Sequence, residues 1–342
     1  MQRSGFGEPT VEMIWVRHRS TRLADGSWGP VLLLEVGVSD PRRGSANLQY
    51  DMQGRPVESG VLASSGFAAA DPDAAALPSG TKREQALTVY DEPDTVGLHA
   101  ALTAAGIPTA QYPSQKFVAG NVSKTYTLAP ATAMSWYSYD VYGRVSWLVQ
   151  KIEGLGTKTI DYVYDPVTGA VTAVDYQRHR PTERFVHRYT YNVAGELTRV
   201  ETSTDNAAYT LQAAYSYYET GALKRTELAG DLQGIDYVYN LDGQLKAINS
   251  PQGSGFKDPG NDGPSTTGFR PDVFGMVIDY HGRDYARTGT LYNGLRNTGS
   301  TGTPDGNIGS VRWHNSTAAP GSANIDTYRY RYNKNNWLSG AD

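Results

Sequence analysis

The sequence contains no cysteine, which excludes disulfides, thiol catalysis and cysteine-ligated metals. It also lacks a long apolar run. Val31-Leu-Leu-Leu34 is broken by Glu35, too short to span a bilayer or form the core of a signal peptide. No membrane span and no signal peptide are therefore expected in this chain. An excess of one charge is missing too: 31 Lys and Arg face 35 Asp and Glu, a net charge of −4 without long runs of either sign. A nucleic-acid surface would show as a basic stripe, so no nucleic-acid partner is expected. The histidines, His18, His99, His179, His187, His281 and His314, fall into no metal-binding or helix-facing spacing. Neither a zinc site nor any other cofactor is expected from them.

What the sequence has in excess is tyrosine, 24 residues against 7 Phe, together with 37 Gly and 18 Pro. That composition suits many short strands and turns. The tyrosines are ordered. Tyr137-Ser-Tyr139-Asp140-Val-Tyr-Gly143-Arg-Val returns as Tyr162-Val-Tyr164-Asp165-Pro-Val-Thr-Gly169-Ala-Val, and again as Tyr189-Thr-Tyr191-Asn192-Val-Ala-Gly195-Glu-Leu. Tyr215-Ser-Tyr217-Tyr-Glu-Thr-Gly221-Ala-Leu and Tyr237-Val-Tyr239-Asn240-Leu-Asp-Gly243-Gln-Leu complete the run. The glycines recur after 26, 26, 26 and then 22 residues, the mark of a repeat architecture.

Each part of the motif has a physical reason. Tyr at i and i+2 points two rings to one face of a strand. Asp or Asn opens a turn by bonding its own backbone, and Gly supplies the positive φ that reverses the chain. Three or four turn residues ending in Gly fit a type I turn with a glycine bulge. Each copy is thus one β-hairpin, and because a lone hairpin is marginal in water, successive hairpins must pair. On the return strands, aliphatic residues stand at i and i+3, as in Val145 and Leu148 or Leu245 and Ile248. That spacing calls for a bulge or for burial on both faces, and the sequence leaves the two open.

The predicted fold class is mainly β, repeated antiparallel hairpins in a curved or spiralling ribbon, with one short helix near 97–105 whose apolar face is Leu98, Ala101, Leu102 and Ala105. Residues 1–46 read as irregular β, with strands at Glu12–Arg17 and Val31–Val36. Residues 47–135 read as a divergent repeat with a loop and the helix, including a half-copy at Leu48–Val57. The array occupies 136–250, a loop-rich insertion 251–326, and a truncated further repeat 327–342. A repeat cut in mid-hairpin points to a fragment of a longer protein.

Few residues carry chemistry. Asp258-Pro-Gly260-Asn-Asp262-Gly263 begins like a calcium loop but has Phe269 where a bidentate Glu is needed, so a turn is expected. Asp91, Glu92 and Asp94 read as a solvated acidic turn. Asp279 and Asp284, flanking Tyr280 and Tyr285, could form an acid/base pair, yet no nucleophile accompanies them. The tyrosine rows are expected to pack the ribbon, their hydroxyls reaching water or neighbouring strands. The motif residues are accordingly structural, with no catalytic or metal-binding residue among them.

The repeated Tyr-x-Tyr-[Asp/Asn]-x-x-Gly resembles the signature of Rhs (YD-repeat) proteins over roughly residues 46–342. Segments such as Trp136-Tyr-Ser-Tyr-Asp140, Leu232-Gln-Gly-Ile-Asp-Tyr-Val-Tyr239, Asp272-Val-Phe-Gly275 and Tyr332-Asn-Lys-Asn-Asn-Trp-Leu338 look most like those of Bacteroidetes. The resemblance implies a β-shell enclosing a variable C-terminal cargo domain, often a toxin, in a secreted or cell-surface protein. The family's C-terminal core with its autoproteolytic site has no counterpart here; Asp165-Pro166 lies at a repeat turn. Three functions follow as expectations: a non-enzymatic segment of such a shell; a module binding cell-surface glycans through exposed Tyr and Trp; or an enzyme with a site near 269–313.

Overall fold

The computed structural model describes residues 45–63, 80–128, 132–249, 259–260, 269, 272–282, 284–285, 305–315 and 325–342. The strands expected before residue 45, the 64–79 stretch and nearly all of the 258–269 loop lie outside the described residues. The described chain is mainly β, an antiparallel sheet of 18 strands, with one α-helix among the described residues. It divides into two compact units, residues 1–163 with 174–184, and residues 164–173 with 185–342.

In the first unit β1 (Ser45–Tyr50), β2 (Pro56–Ala63), β3 (Thr81–Tyr90), β4 (Val122–Thr127), β5 (Ala133–Tyr139), β6 (Val145–Ile152) and β7 (Gly156–Tyr164) pair in sequence order. Helix α1 (Thr95–Ala104) and a 3-10 turn, Thr109–Gln111, occupy the connection between β3 and β4. The helix stops at Gly106, which has φ +67°, as the sequence predicts. It buries Leu98, Ala101 and Leu102 against Ile107, Tyr112, Trp136 and Val149. Strand β8 (Val171–Tyr176) contributes residues to both units.

In the second unit the ladder runs through β9 (Phe185–Tyr191), β10 (Leu197–Ser203), β11 (Thr210–Tyr217), β12 (Leu223–Leu228), β13 (Gln233–Tyr239) and β14 (Leu245–Ile248). It continues through β15 (Phe274–Asp279), β16 (Ser310–Asn315), β17 (Ile325–Tyr332) and β18 (Leu338–Ala341). Among the described residues its buried apolar cluster is Val238, Ala247 and Val277, with Tyr285 packed against it.

The hairpin turns follow one plan. At Asp140 the backbone N–H donates to Arg144 O and Gly143 N–H returns to Asp140 O. The Asp140 carboxylate then accepts from the N–H groups of Tyr142 and Arg144. Asp51, Asn192, Asn240 and Asn333 do the same. Gly143 has φ +75°, and Asn336 stands in for the glycine at φ +61° in the last copy, Asn being the side chain that tolerates this region best.

The open choice on the return strands resolves as a bulge. Ser138 pairs with Trp147 and Tyr139 with Val145, so Ser146 faces no partner. The same residue position is skipped at Val57, Ser123, Thr198, Lys224, Lys246 and Ser339. One extra residue shifts the side-chain alternation and sharpens the local twist, which brings positions three apart onto one face. Where the bulged residue carries a hydroxyl, it donates to the carbonyl of the residue before the motif's last tyrosine: Ser146 to Ser138, Thr198 to Thr190, Ser339 to Arg331 and Ser123 to Val89, all at 3.0 or 3.1 Å.

A second regularity links one hairpin to the one before it. The tyrosine at or just past the end of an outgoing strand donates its hydroxyl to the carbonyl that opens the previous return strand. Tyr139 reaches Val122, Tyr191 reaches Val171 and Tyr217 reaches Leu197, at 2.8 to 2.9 Å. Tyr90 reaches Pro56, Tyr280 reaches Leu245 and Tyr332 reaches Ile308, at 3.0 to 3.1 Å.

Three further stretches differ from the sequence reading. The half-copy at 48–57 is a complete hairpin, since Tyr50 alone supplies the turn's last ring. The stretch read as a truncated copy closes its turn and pairs Tyr332 with Leu338. The ladder also runs on through the loop-rich 251–326 region, β14 pairing with β15 and β16 with β17.

Replacing Tyr217 by Phe strands the Leu197 carbonyl and should cost about 1 kcal/mol, read as a lower urea midpoint at unchanged slope. Tyr215→Phe, at the motif's first position, should leave the midpoint in place.

Candidate functional site

The motif residues sit at the turns and ladder positions described above. Side chains with chemistry to spare gather at two hairpins whose turns are greatly expanded, β3–β4 and β15–β16.

In the first, Tyr90 pairs with Val122 across a 31-residue connection. Asp94, read from sequence as part of a solvated turn, is instead the N-cap of α1. Its carboxylate accepts from Gly97 N at 3.0 Å, Lys124 Nζ at 2.8 Å and Trp136 Nε1 at 3.1 Å. Burial pushes this carboxyl up, but Lys124 and the other donors outweigh it and hold the group below its ordinary value. A β-carbon on Gly97 would collide with the same carboxylate, so a larger residue there would push Asp94 out of its capping position. Gln115, buried, accepts from Asp94 N and donates to the carbonyls of Ser123 and Tyr137. Asp91 accepts from Arg55 and from Gly120 N.

Beneath the helix, fully buried Tyr112 donates to Asp161 Oδ2 at 2.8 Å and packs edge-on against Trp147 and His179. Arg178 approaches Asp161 at 3.3 Å and lies over the Tyr112 ring. Burial raises the Asp161 carboxyl above its usual range, offset only in part by Tyr112 and Arg178. Burial, seconded by Arg178, lowers His179. Nearby, a cleft of about 490 Å³ opens between the end of this connection and the β5–β6 turn; Gln111, Lys116, Phe117, Tyr142 and Trp147 are among its walls. Phe117 and Tyr142 are exposed there, and Phe117 holds φ +52°, a strained conformation for a bulky residue.

In the second, the structure brings together Asp279 and Asp284, which the sequence marked, with Lys246, Ser310 and Arg312, which it did not. Lys246 Nζ lies 2.7 Å from Asp279 Oδ1 and 3.0 Å from Asp284 Oδ2. Asp279 also accepts from Ser310 Oγ at 2.9 Å and from Arg312 Nε at 3.0 Å. Tyr280 N donates to Asp284 Oδ2 at 2.7 Å, and Asp284 Oδ1 has no hydrogen-bond partner. Two carboxylates and two cations balance. The signal missed in the sequence is Lys246 itself, a lysine at the bulge position that in four other hairpins carries Ser or Thr. His281 and His314 take no part in these bonds, and His18 lies outside the described residues, as does Arg283. Among the described residues no group of three or more His, Asp and Glu could hold a metal ion. No helix among them is long and apolar enough to cross a membrane.

No family model and no curated protein matches the chain. Among solved structures it is similar to TcdB2-TccC3 crystallised with Cdc42, to TcdB2-TccC3 alone, and to the Photorhabdus luminescens Tc holotoxin pore. In each the identity is 14%, the TM-score 0.48 and the coverage 93% of this chain. The chain spans 13 to 14% of the length of those chains.

Because Asp161 is raised in the folded state, that state binds a proton more readily than the unfolded chain, whose Asp titrates near about 4. The Asp161 contribution therefore favours folding below that pH and is lost as pH rises through its folded value. The melting temperature of the native protein minus that of Asp161→Asn should grow on going from neutral pH down towards pH ~4, and a difference constant with pH would contradict the assignment.

Proposed function

We propose that this chain is a length of wall in an Rhs (YD-repeat) type β-shell, a scaffold without catalysis of its own that encloses a C-terminal cargo domain in a secreted toxin-like protein. The observation that carries the reading is at the hairpin tips. The turn residue that should be polar is apolar in copy after copy: Met52, Val141, Val167, Val193 and Leu241, all more than two-thirds exposed and the last two completely so. Single exposed apolar residues need no explanation, but a row at one repeated position marks a contact surface. In a shell the ribbon winds back on itself, so the tips of one coil have another coil to meet. The tyrosine tethers and repeated bulges supply the rest, a ribbon built by one rule from hairpin to hairpin. The charged residues near 279 favour this reading over an enzyme, because the side chains of Lys246, Asp279 and Asp284 have no solvent exposure.

A second reading, a glycan-binding module, draws on the cleft beside β5 and β6, where exposed aromatic rings stand next to polar groups as in many small-ligand sites. Titration with cell-surface oligosaccharides would then quench Trp147, and Tyr142→Ala would abolish the response; a flat titration removes this reading.

The wall reading predicts concentration-dependent self-association of the isolated chain in sedimentation velocity. The triple variant Val141→Asp, Val193→Asp, Leu241→Asp should suppress it while shifting folding stability by no more than about 0.5 kcal/mol per site, as for exposed positions generally. Association that persists unchanged in the triple variant would overturn the tip contact.

A further inference from the structure

Where β14 meets the segment after β15, a lysine and two aspartates share a space closed to solvent. The side chains of Lys246, Asp279 and Asp284 each have 0% exposure. A buried ion-pair cluster is a poor source of net stability, because desolvating the charges offsets their attraction. The two carboxylates are also held in different ways. Asp279 is fully engaged: Lys246 and Arg312 donate to Oδ1, and Ser310 and Arg312 to Oδ2. Asp284 is engaged on one side alone, its Oδ2 accepting from Lys246 Nζ and from Tyr280 N while Oδ1 has no partner.

We propose that Lys246 and Asp284 condense spontaneously into an intramolecular isopeptide bond, with Asp279 relaying the protons. Nζ of Lys246 attacks Cγ of Asp284. The Nζ–Cγ bond forms, the Cγ–Oδ1 bond breaks, and two protons pass from the nitrogen to the departing oxygen. An ammonium and a carboxylate thereby become a neutral amide and one water, with no oxidant or other co-reactant. Asp279, hydrogen-bonded to the same nitrogen, carries the protons and ends in its starting state.

The surroundings match each need of that step. The Tyr280 N–H, 2.7 Å from Oδ2, is placed to stabilise the negative charge that builds on that oxygen in the tetrahedral intermediate. The unbonded Oδ1 is the oxygen free to leave. Arg312 and Ser310 anchor Asp279 as the acceptor of protons and turn the attack away from it. The reacting groups are already fixed at contact distance, which replaces an encounter by a positioned reaction. Exclusion of bulk water disfavours hydrolysis. The bond would also resolve the cost of burying the cluster, since only the paired Asp279 and Arg312 charges then remain. It forms once per molecule, so it adds a cross-link and no turnover.

The test is the mass of the intact, folded chain measured under denaturing conditions. It should fall short of the sequence mass by one water, and protease digestion should yield one branched peptide joining Lys246 to Asp284. Asp279→Asn should keep the full mass while retaining the native circular dichroism spectrum. If that variant does not fold, the native protein's mass decides alone. A native chain at full sequence mass overturns the proposal, and a branch at Asp279 overturns the assignment of roles.

Discussion

One phenolic hydrogen bond, made again and again among the described hairpins, sets each of them against the one before. A β-hairpin by itself barely survives in water, and the ladder bonds between adjacent strands do not fix how one hairpin is set against the next. The hydroxyl of the terminal tyrosine does so, reaching back to the carbonyl that opens the preceding return strand, as Tyr191 does to Val171 and Tyr217 to Leu197. Each such bond is modest, on the order of 1 kcal/mol. Their value lies in position, because every one fixes the same atom against the same atom of a neighbour. Phenylalanine would supply the ring without that bond, which favours Tyr over Phe at Tyr90, Tyr139, Tyr191, Tyr217, Tyr280 and Tyr332.

The repeats, the turn chemistry and the single helix were legible in the sequence because each rests on local rules. Asp140 and Gly143 announce their turn by residue type, and Leu98, Ala101 and Leu102 announce a helical face by spacing. The bulge was half legible. The i, i+3 spacing of Val145 and Leu148 is incompatible with a flat strand, but only the register shows that Ser146 is the residue left out. Asp94 was misread because an acidic residue near Pro93 looks the same whether it meets water or caps a helix; its partners Lys124 and Trp136 lie 30 and 42 residues away. The cluster around Asp279 was legible as a pair of acids and illegible as a site, since Lys246 and Arg312 approach from two other strands.

The two units handle burial in different ways. The first has an apolar centre, in which α1 lies on Trp136 and Val149, and Asp161 and Tyr112 are the polar exception. In the second the apolar cluster among the described residues is Val238, Ala247 and Val277 with Tyr285 against it, and the charged side chains of Lys246, Asp279 and Asp284 are buried as well. Strands β13 and β15 turn Asp236 and Asp279 to their buried sides along with Val238 and Val277, so their alternation is one of burial rather than of hydrophobicity. Such a centre is specific in its pairing because a misplaced charge there is severely penalised.

The expanded turns have a consequence for how such a chain can change. Tyr90 meets Val122 in the same bulged register that Tyr139 keeps with Val145, although 31 residues intervene in one case and 5 in the other. The ladder does not sense the length of what its turns carry. New segments can therefore be grafted at a hairpin tip without disturbing the neighbouring hairpins, which makes the ribbon a rack on which novelty accumulates one turn at a time.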